Sequence, residues 1–96
     1  MQNILEIIDK RGKIIHLSKE RWSHIRRMHP SVENWEDVEK TLLNPQKIIN
    51  NIEKNKVYFY SYFKHWKSPN KYLKVIVKYL NGEGFILSAY PIKDLR

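Results

Sequence analysis

The stretch Tyr72-Leu73-Lys74-Val75-Ile76-Val77-Lys78 alternates apolar and polar side chains, the signature of a strand with one covered face and one open face. Successive strand residues point to opposite sides, so Leu73, Val75, Val77 and Tyr79 share one face, while Tyr72, Lys74, Ile76 and Lys78 share the other, wetter one. The same reading sets Val57, Phe59 and Phe63 opposite Tyr58, Tyr60 and Tyr62, and sets Phe85, Leu87 and Ala89 opposite Ile86, Ser88 and Tyr90. Together these segments predict a sheet whose one face is a core and whose reverse carries lysine, tyrosine and serine.

Upstream of this block the pattern differs. The β-branched runs Ile4-Leu5-Glu6-Ile7-Ile8 and Lys13-Ile14-Ile15-His16-Leu17, separated by Asp9-Lys10-Arg11-Gly12, predict a short hairpin with glycine supplying the turn. Ser18 is placed to cap a following helix that carries Glu20 in its first turn and is stopped by Pro30. Asn34 is placed to cap a second helix, with Asp37 as its capping-box-like partner and Trp35, Val38, Leu42 and Leu43 as its apolar stripe, closed by Asn44-Pro45. Strands follow at Ile48-Ile49, positions 57–63, 72–80 and 85–92, with the last turn at Asn81-Gly82-Glu83-Gly84. The expected order is ββααββββ, and elements that do not alternate point to an α+β fold. The expectation is a single domain over 1–96: two N-terminal helices, preceded by a short hairpin, on one face of a roughly four-stranded antiparallel sheet.

Composition bounds the function. Lysine and arginine number 18 against 10 acidic residues among 96, a net charge of +8 spread along the chain and not confined to a tail. A folded basic surface favours polyanions: RNA, DNA, an acidic protein or an anionic membrane, with nucleic acid the commonest. The absence of cysteine excludes a disulfide, a thiolate zinc site and a cysteine nucleophile. No apolar run approaches the roughly 20 residues that span a bilayer, and the stretch from Met1 to Asp9 is acidic and short for a signal peptide, so no membrane partner and a cytoplasmic location are expected.

Candidate chemistry begins with Trp22-Ser23-His24-Ile25-Arg26-Arg27-Met28-His29-Pro30, two histidines on a basic helix. Histidine exchanges protons in both directions near neutrality, and the arginines beside it attract a phosphate. Five residues on a helix leave His24 and His29 about 140° apart, too far round to share a metal from one face, so neither a metal site nor a cofactor is expected. His29 falls on the side of Trp22 and Ile25, and His24 nearer the edge with Arg21 and Arg27. The plainer alternative makes His29 a helix-end residue favoured by the dipole and His24 a solvated one. On the sheet, Lys74, Lys78, Ser88 and Tyr90 offer cations and hydroxyls to a phosphate, and tyrosines such as Tyr60 offer rings to a base. Alternating lysines also keep an exposed face soluble, which is the simpler reading of the same residues.

The string Leu17-Ser18-Lys19-Glu20-Arg21-Trp22-Ser23-His24-Ile25, followed by His29-Pro30, resembles the opening helix of the phage-associated nuclease-like proteins grouped with the barnase, EndoU, colicin and RelE (BECR) ribonucleases. Asn44-Pro45, the strand from Tyr72 to Lys78 and the ending Phe85-Ile86-Leu87-Ser88-Ala89-Tyr90 follow in that family's order, so the resemblance covers residues 15 to 92. It implies helices packed on a four-stranded antiparallel sheet, with RNA cleaved on the open face without a metal. Carried onto matching positions, it implies His24 and His29 from the helix, Lys78 from the sheet, and Ser88 with Tyr90 from the last strand as catalytic residues. This chain departs in having Ser88 where threonine is common, and in lacking an arginine between Tyr60 and Lys64.

The functional expectation is a metal-independent endoribonuclease attacking through the ribose 2′-hydroxyl, with a toxin of a toxin–antitoxin pair as its setting. His24 is the preferred base, His29 or Tyr90 the acid, and Arg21, Arg27, Lys74 and Tyr60 the RNA and phosphate contacts. The alternatives are a non-catalytic basic module that holds RNA or an acidic protein, and a toxin-like domain filled by an acidic antitoxin. An exposed sheet edge leaves a homodimer open.

Overall fold

A computed structural model describes residues 3–95; Met1, Gln2 and Arg96, at the ends of the expected domain, lie outside them. In chain order the elements are β1 (Asn3–Ile8), β2 (Ile14–Ser18), α1 (Lys19–Met28), α2 (Trp35–Leu43), β3 (Lys47–Asn51), a 3-10 turn (Ile52–Lys54), β4 (Lys56–Tyr62), β5 (Tyr72–Leu80) and β6 (Glu83–Ile92). The expected ββααββββ order is the observed one, and the class is α+β.

The sheet is larger than expected and mixed. Six strands lie in the order β1-β2-β6-β5-β4-β3, and the leading hairpin is part of the sheet because β2 pairs with β6 in parallel, Ile14 to His16 against Glu83 to Phe85. The remaining neighbours are antiparallel. The four-stranded, all-antiparallel expectation is thereby corrected: the two helices lie between the hairpin and the last four strands, and all six strands form one mixed sheet. The reason is burial: Ile15 and Leu17 alternate onto the core face with no solvent exposure, and an isolated two-stranded ribbon cannot bury such a face.

Both helices cover the same side. Helix α1 packs on β2 and β6, and α2 on β4 and β5. One core joins Ile25, Val38 and Leu42 of the helices to Leu5, Ile15, Leu17, Phe59, Leu73, Val75, Val77 and Ala89 of the sheet. The Ser18 hydroxyl caps α1 by accepting from the Arg21 amide at 3.1 Å, and α1 ends at Met28 with His29 as its C-cap. Asn34 precedes α2 but makes no side-chain capping bond; its backbone carbonyl accepts from the Asp37 amide instead. Trp35, Val38 and Leu42 of the expected α2 stripe meet the core, but Leu43 is 41% exposed and Thr41 is buried instead, its hydroxyl donating to the Asp37 carbonyl.

Strand β6 departs from simple alternation. Ile76 faces Ser88 but Val77 faces Ile86, so Leu87 is an extra residue, a β-bulge that reverses the inside–outside phase along the strand. Ile86 and Ala89 are therefore both core residues, while Phe85 is 40% exposed. The expectation that Phe85, Leu87 and Ala89 share the covered face is corrected for this reason. The β5–β6 turn is also tighter than expected: Asn81 and Gly82, both at positive φ, form a two-residue loop, and Glu83 and Gly84 belong to β6.

Asp9 ties the first hairpin to the sheet. Its buried carboxylate accepts from the Arg11 and Lys13 amides at 2.8 and 2.9 Å, and from the Tyr79 hydroxyl at 2.6 Å. Burial and the Asp9 contact both push the Tyr79 hydroxyl well above the ordinary tyrosine range.

Candidate nucleic-acid interface

The open face of the sheet is laid out in rungs fixed by the strand register. One rung is Lys47, Tyr60, Lys74 and Tyr90; the next toward one end is Tyr62, Tyr72 and Ile92; the next toward the other is Ile49, Tyr58, Ile76 and Ser88. Of the six tyrosines in the chain, Tyr58, Tyr60, Tyr62, Tyr72 and Tyr90 all stand on this face. Strands β4 and β5 contain no acidic residue, and β6 contains only Glu83 at its start.

Lys74 is the centre of this arrangement. Its ammonium lies 4.5 Å from the centroid of Tyr58, 5.8 Å from that of Tyr60 and 5.7 Å from that of Tyr90. Cation–π attraction to three rings holds an otherwise flexible side chain in one place. Burial pulls the Lys74 ammonium down, but the hydroxyl oxygens of Tyr90 and Tyr60 outweigh it, and the group titrates above the ordinary lysine value. Tyr60 is only 3% exposed despite its place on the open side, so its ring is part of the floor on which Lys74 rests.

The wall of the site is α1. Strand β2 pairs with β6 over three residues only, and the chain then enters α1, which packs alongside β6. At the end of the helix the His29 ring meets the Tyr90 ring, with centroids 5.3 Å apart and planes tilted by 36°. Helix α1 thus brings a histidine to the rung that holds Lys74. His24, on another side of the helix, is exposed, lies 3.4 Å from the Arg27 guanidinium, and lines a depression with Ser18, Glu20 and Arg21.

The remaining residues singled out by sequence are spread along the face. Ser88 stands one rung from Tyr90 and opposite Ile76. Lys78 pairs with Lys56 on one side and Phe85 on the other, four residues and roughly 13 Å along β5 from Lys74. Arg21 lines a cavity of about 410 Å³ with His16, Ser18, Phe85 and Leu87, where β2 and β6 part. His16 lies between two carboxylates, 3.3 Å from Glu6 and 2.7 Å from Glu83, and stacks on Phe85. Those carboxylates make the Lys78 end of the face mixed in charge, whereas the rung of Lys74 consists of Lys47, Tyr60, Lys74 and Tyr90, with the Lys47 ammonium donating to the Leu95 carbonyl at 3.4 Å.

A separate cleft of about 360 Å³ opens beyond the end of the sheet, between the start of α2 and the β4–β5 loop, lined by Ser31, Asp37, His65, Trp66 and Pro91. Burial raises the Asp37 carboxyl above the usual aspartate value, and the Trp66 indole, His65 and Lys40 oppose that rise more weakly.

The sequence groups Lys74, Lys78, Ser88 and Tyr90 on one face; the structure separates Lys78 from Lys74 by four residues of β5 and adds the contact of Tyr90 with His29. Tyr58, Tyr62 and Tyr72 went unassigned, although their parity with Tyr60 and Lys74 was the available signal. No family model, curated protein or solved structure matches the chain. Among the described residues no helix is long and apolar enough to cross a membrane.

Proposed function

We propose that this protein binds RNA along the seam between α1 and the open face of the sheet and cleaves it as a metal-independent endoribonuclease. The observation that carries the reading is the position of Tyr90, whose ring lies 5.3 Å from that of His29 and 5.7 Å from the Lys74 ammonium, on a face rich in tyrosine. When a ribose 2′-hydroxyl attacks the adjacent phosphate, an imidazole can serve as the base, a phenol as the acid and a fixed cation as the group that stabilises charge on the phosphoryl oxygens.

In this mechanism the His29 imidazole takes the proton of the 2′-hydroxyl, the 2′-oxygen bonds to phosphorus, and the bond from phosphorus to the 5′-oxygen breaks. Tyr90 donates its proton to that leaving oxygen. Lys74 is a donor only, so it interacts with the Tyr90 oxygen and leaves the phenolic proton free to be given away. The ammonium also stabilises charge on the phosphoryl oxygens, a contribution of roughly 3 kcal/mol for a well-placed donor. Ser88, one rung away, hydrogen-bonds the next phosphate oxygen, and Arg21, Arg27 and Lys78 hold the flanking backbone. His24 sits beside Arg21 and Arg27, and among the described residues it makes no ring contact with a tyrosine of the sheet. His29 is therefore the base in this proposal. The resemblance of the α1 motif and the last strands to phage-associated nuclease-like proteins supports the same reading and extends it to a toxin whose basic groove is filled by an acidic antitoxin.

The test is incubation of the protein with mixed-sequence single-stranded RNA in excess EDTA, beside His29→Gln, Tyr90→Phe and Lys74→Ala. Fragments ending in 2′,3′-cyclic phosphate and lost in all three variants support the proposal. RNA that stays intact in every sample but is bound in a salt-sensitive manner replaces it with a binding module. The three-ring cage around Lys74 favours that second reading, since a platform of rings and one cation holds a strand without cutting it.

A further inference from the structure

Tyr62 and Tyr72 face each other directly across β4 and β5, with ring centroids 5.1 Å apart and planes tilted by 54°. They occupy the rung beside Tyr60, Lys74 and Tyr90, two residues and roughly 7 Å along the strands. The core does not account for them. It lies on the opposite side, where their neighbours Phe63 and Leu73 are buried, and Tyr62 keeps 43% of its surface exposed. The neighbouring rung supplies Lys74 and Lys47 as cations, and neither β4 nor β5 carries an acid to repel a phosphate.

We infer that Tyr62 and Tyr72 form a stacking platform for one unpaired nucleobase whose adjoining phosphate is held by Lys74. The inference rests on the RNA reading above and specifies its substrate as single-stranded at this point. Every base has a π-face, so the platform accepts bases with little preference, and a base already stacked within a duplex cannot lie on it. RNA is the occupant argued for because a phosphate answers the charge of Lys74 and the base joined to it answers the exposed ring of Tyr62 one rung away; an acidic protein is the alternative that the binding test separates.

Fluorescence anisotropy with a labelled RNA, its duplex, and an oligomer of equal length with abasic sites tests this. Wild type is expected to prefer the intact single strand over both others. Tyr62→Ala is expected to weaken that binding about tenfold while leaving the slope against salt unchanged, and Tyr62→Phe, which keeps the ring, to restore it. The exposure of Tyr62 makes its replacement tolerable to the fold, and circular dichroism checks this. Equal binding of intact and abasic strands, or no loss in Tyr62→Ala, overturns the platform while the RNA reading stands. Failure of wild type to bind any RNA, including when it binds an acidic peptide instead, overturns both.

Discussion

The ring of His29 lies 5.3 Å from the ring of Tyr90, so the cap of α1 and the last strand meet beside the lysine that three tyrosines enclose. This contact sets His29, and not His24, against the tyrosine that pairs with Lys74. On the proposed mechanism, replacement of His29 by glutamine or of Tyr90 by phenylalanine is expected to slow RNA cleavage about a hundredfold each. His24→Gln should leave the rate close to wild type. Single-turnover cleavage in EDTA measures all three, and an equal loss in His24→Gln would move the reacting centre toward Arg21 and Arg27.

Lys74→Met keeps an aliphatic stem among the rings but removes the charge. It should reduce the dependence of log affinity on log salt by about one unit, the signature of one lost phosphate contact. Lys78→Met should give a similar change in salt dependence with a smaller effect on cleavage, because it stands roughly 13 Å away along the strand. A Lys74→Met protein with unaltered salt dependence would show that the ammonium touches no phosphate.

Tyr79→Phe leaves the buried Asp9 carboxylate without its hydroxyl donor, while the two backbone amides remain. The expected loss is about 1–3 kcal/mol of folding stability, read by urea denaturation. Stability equal to wild type would mean that Arg11, whose guanidinium lies 3.9 Å from Asp9, takes over the free oxygen.

Asp37 gives a pH dependence with a definite sign. Its carboxyl is raised above 3.8 in the folded state, so the native protein holds that proton more tightly than the unfolded chain. The resulting stabilisation is complete below 3.8 and is lost as the pH rises through the folded value. Asp37→Asn does not titrate, so its melting temperature should gain on wild type between pH 3 and pH 7. The gain should be below about 1 kcal/mol because the group remains partly solvated. A difference that does not change with pH would contradict the shift.

Gly84 sits where β2 joins β6, and a Cβ there would come within 2.9 Å of Ile15 and Val77 side chains and 3.0 Å of Tyr79. All three contacts belong to packed core or half-buried positions. Gly84→Ala is expected to cost about 1–3 kcal/mol by overpacking, measured by thermal unfolding. A neutral result would mean that the hairpin does not lie as closely on β6 as the parallel register requires.

Much of this was legible in the sequence. Alternation in β4 and β5 correctly separated Val57, Phe59, Leu73, Val75 and Val77 from the tyrosines and lysines, because a strand's period of two is a local property. Ser18 announced the start of α1 and Pro30 its end for equally local reasons of capping and missing donors. The phase of β6 was not legible, since an inserted residue at Leu87 leaves no mark in composition and is recognised only by its unequal pairing with β5.

The sequence by itself determined the order of the elements, the apolar side of the central strands and the gathering of lysine and tyrosine on the reverse. Only the tertiary structure decided that the first hairpin joins the sheet through β6, that Tyr60 is buried beneath Lys74, and that His29 rather than His24 meets Tyr90. The division has a physical cause. Periodicity and capping act within a few residues, whereas strand partners and the meeting of a helix end with a strand sixty residues later depend on how whole faces bury one another.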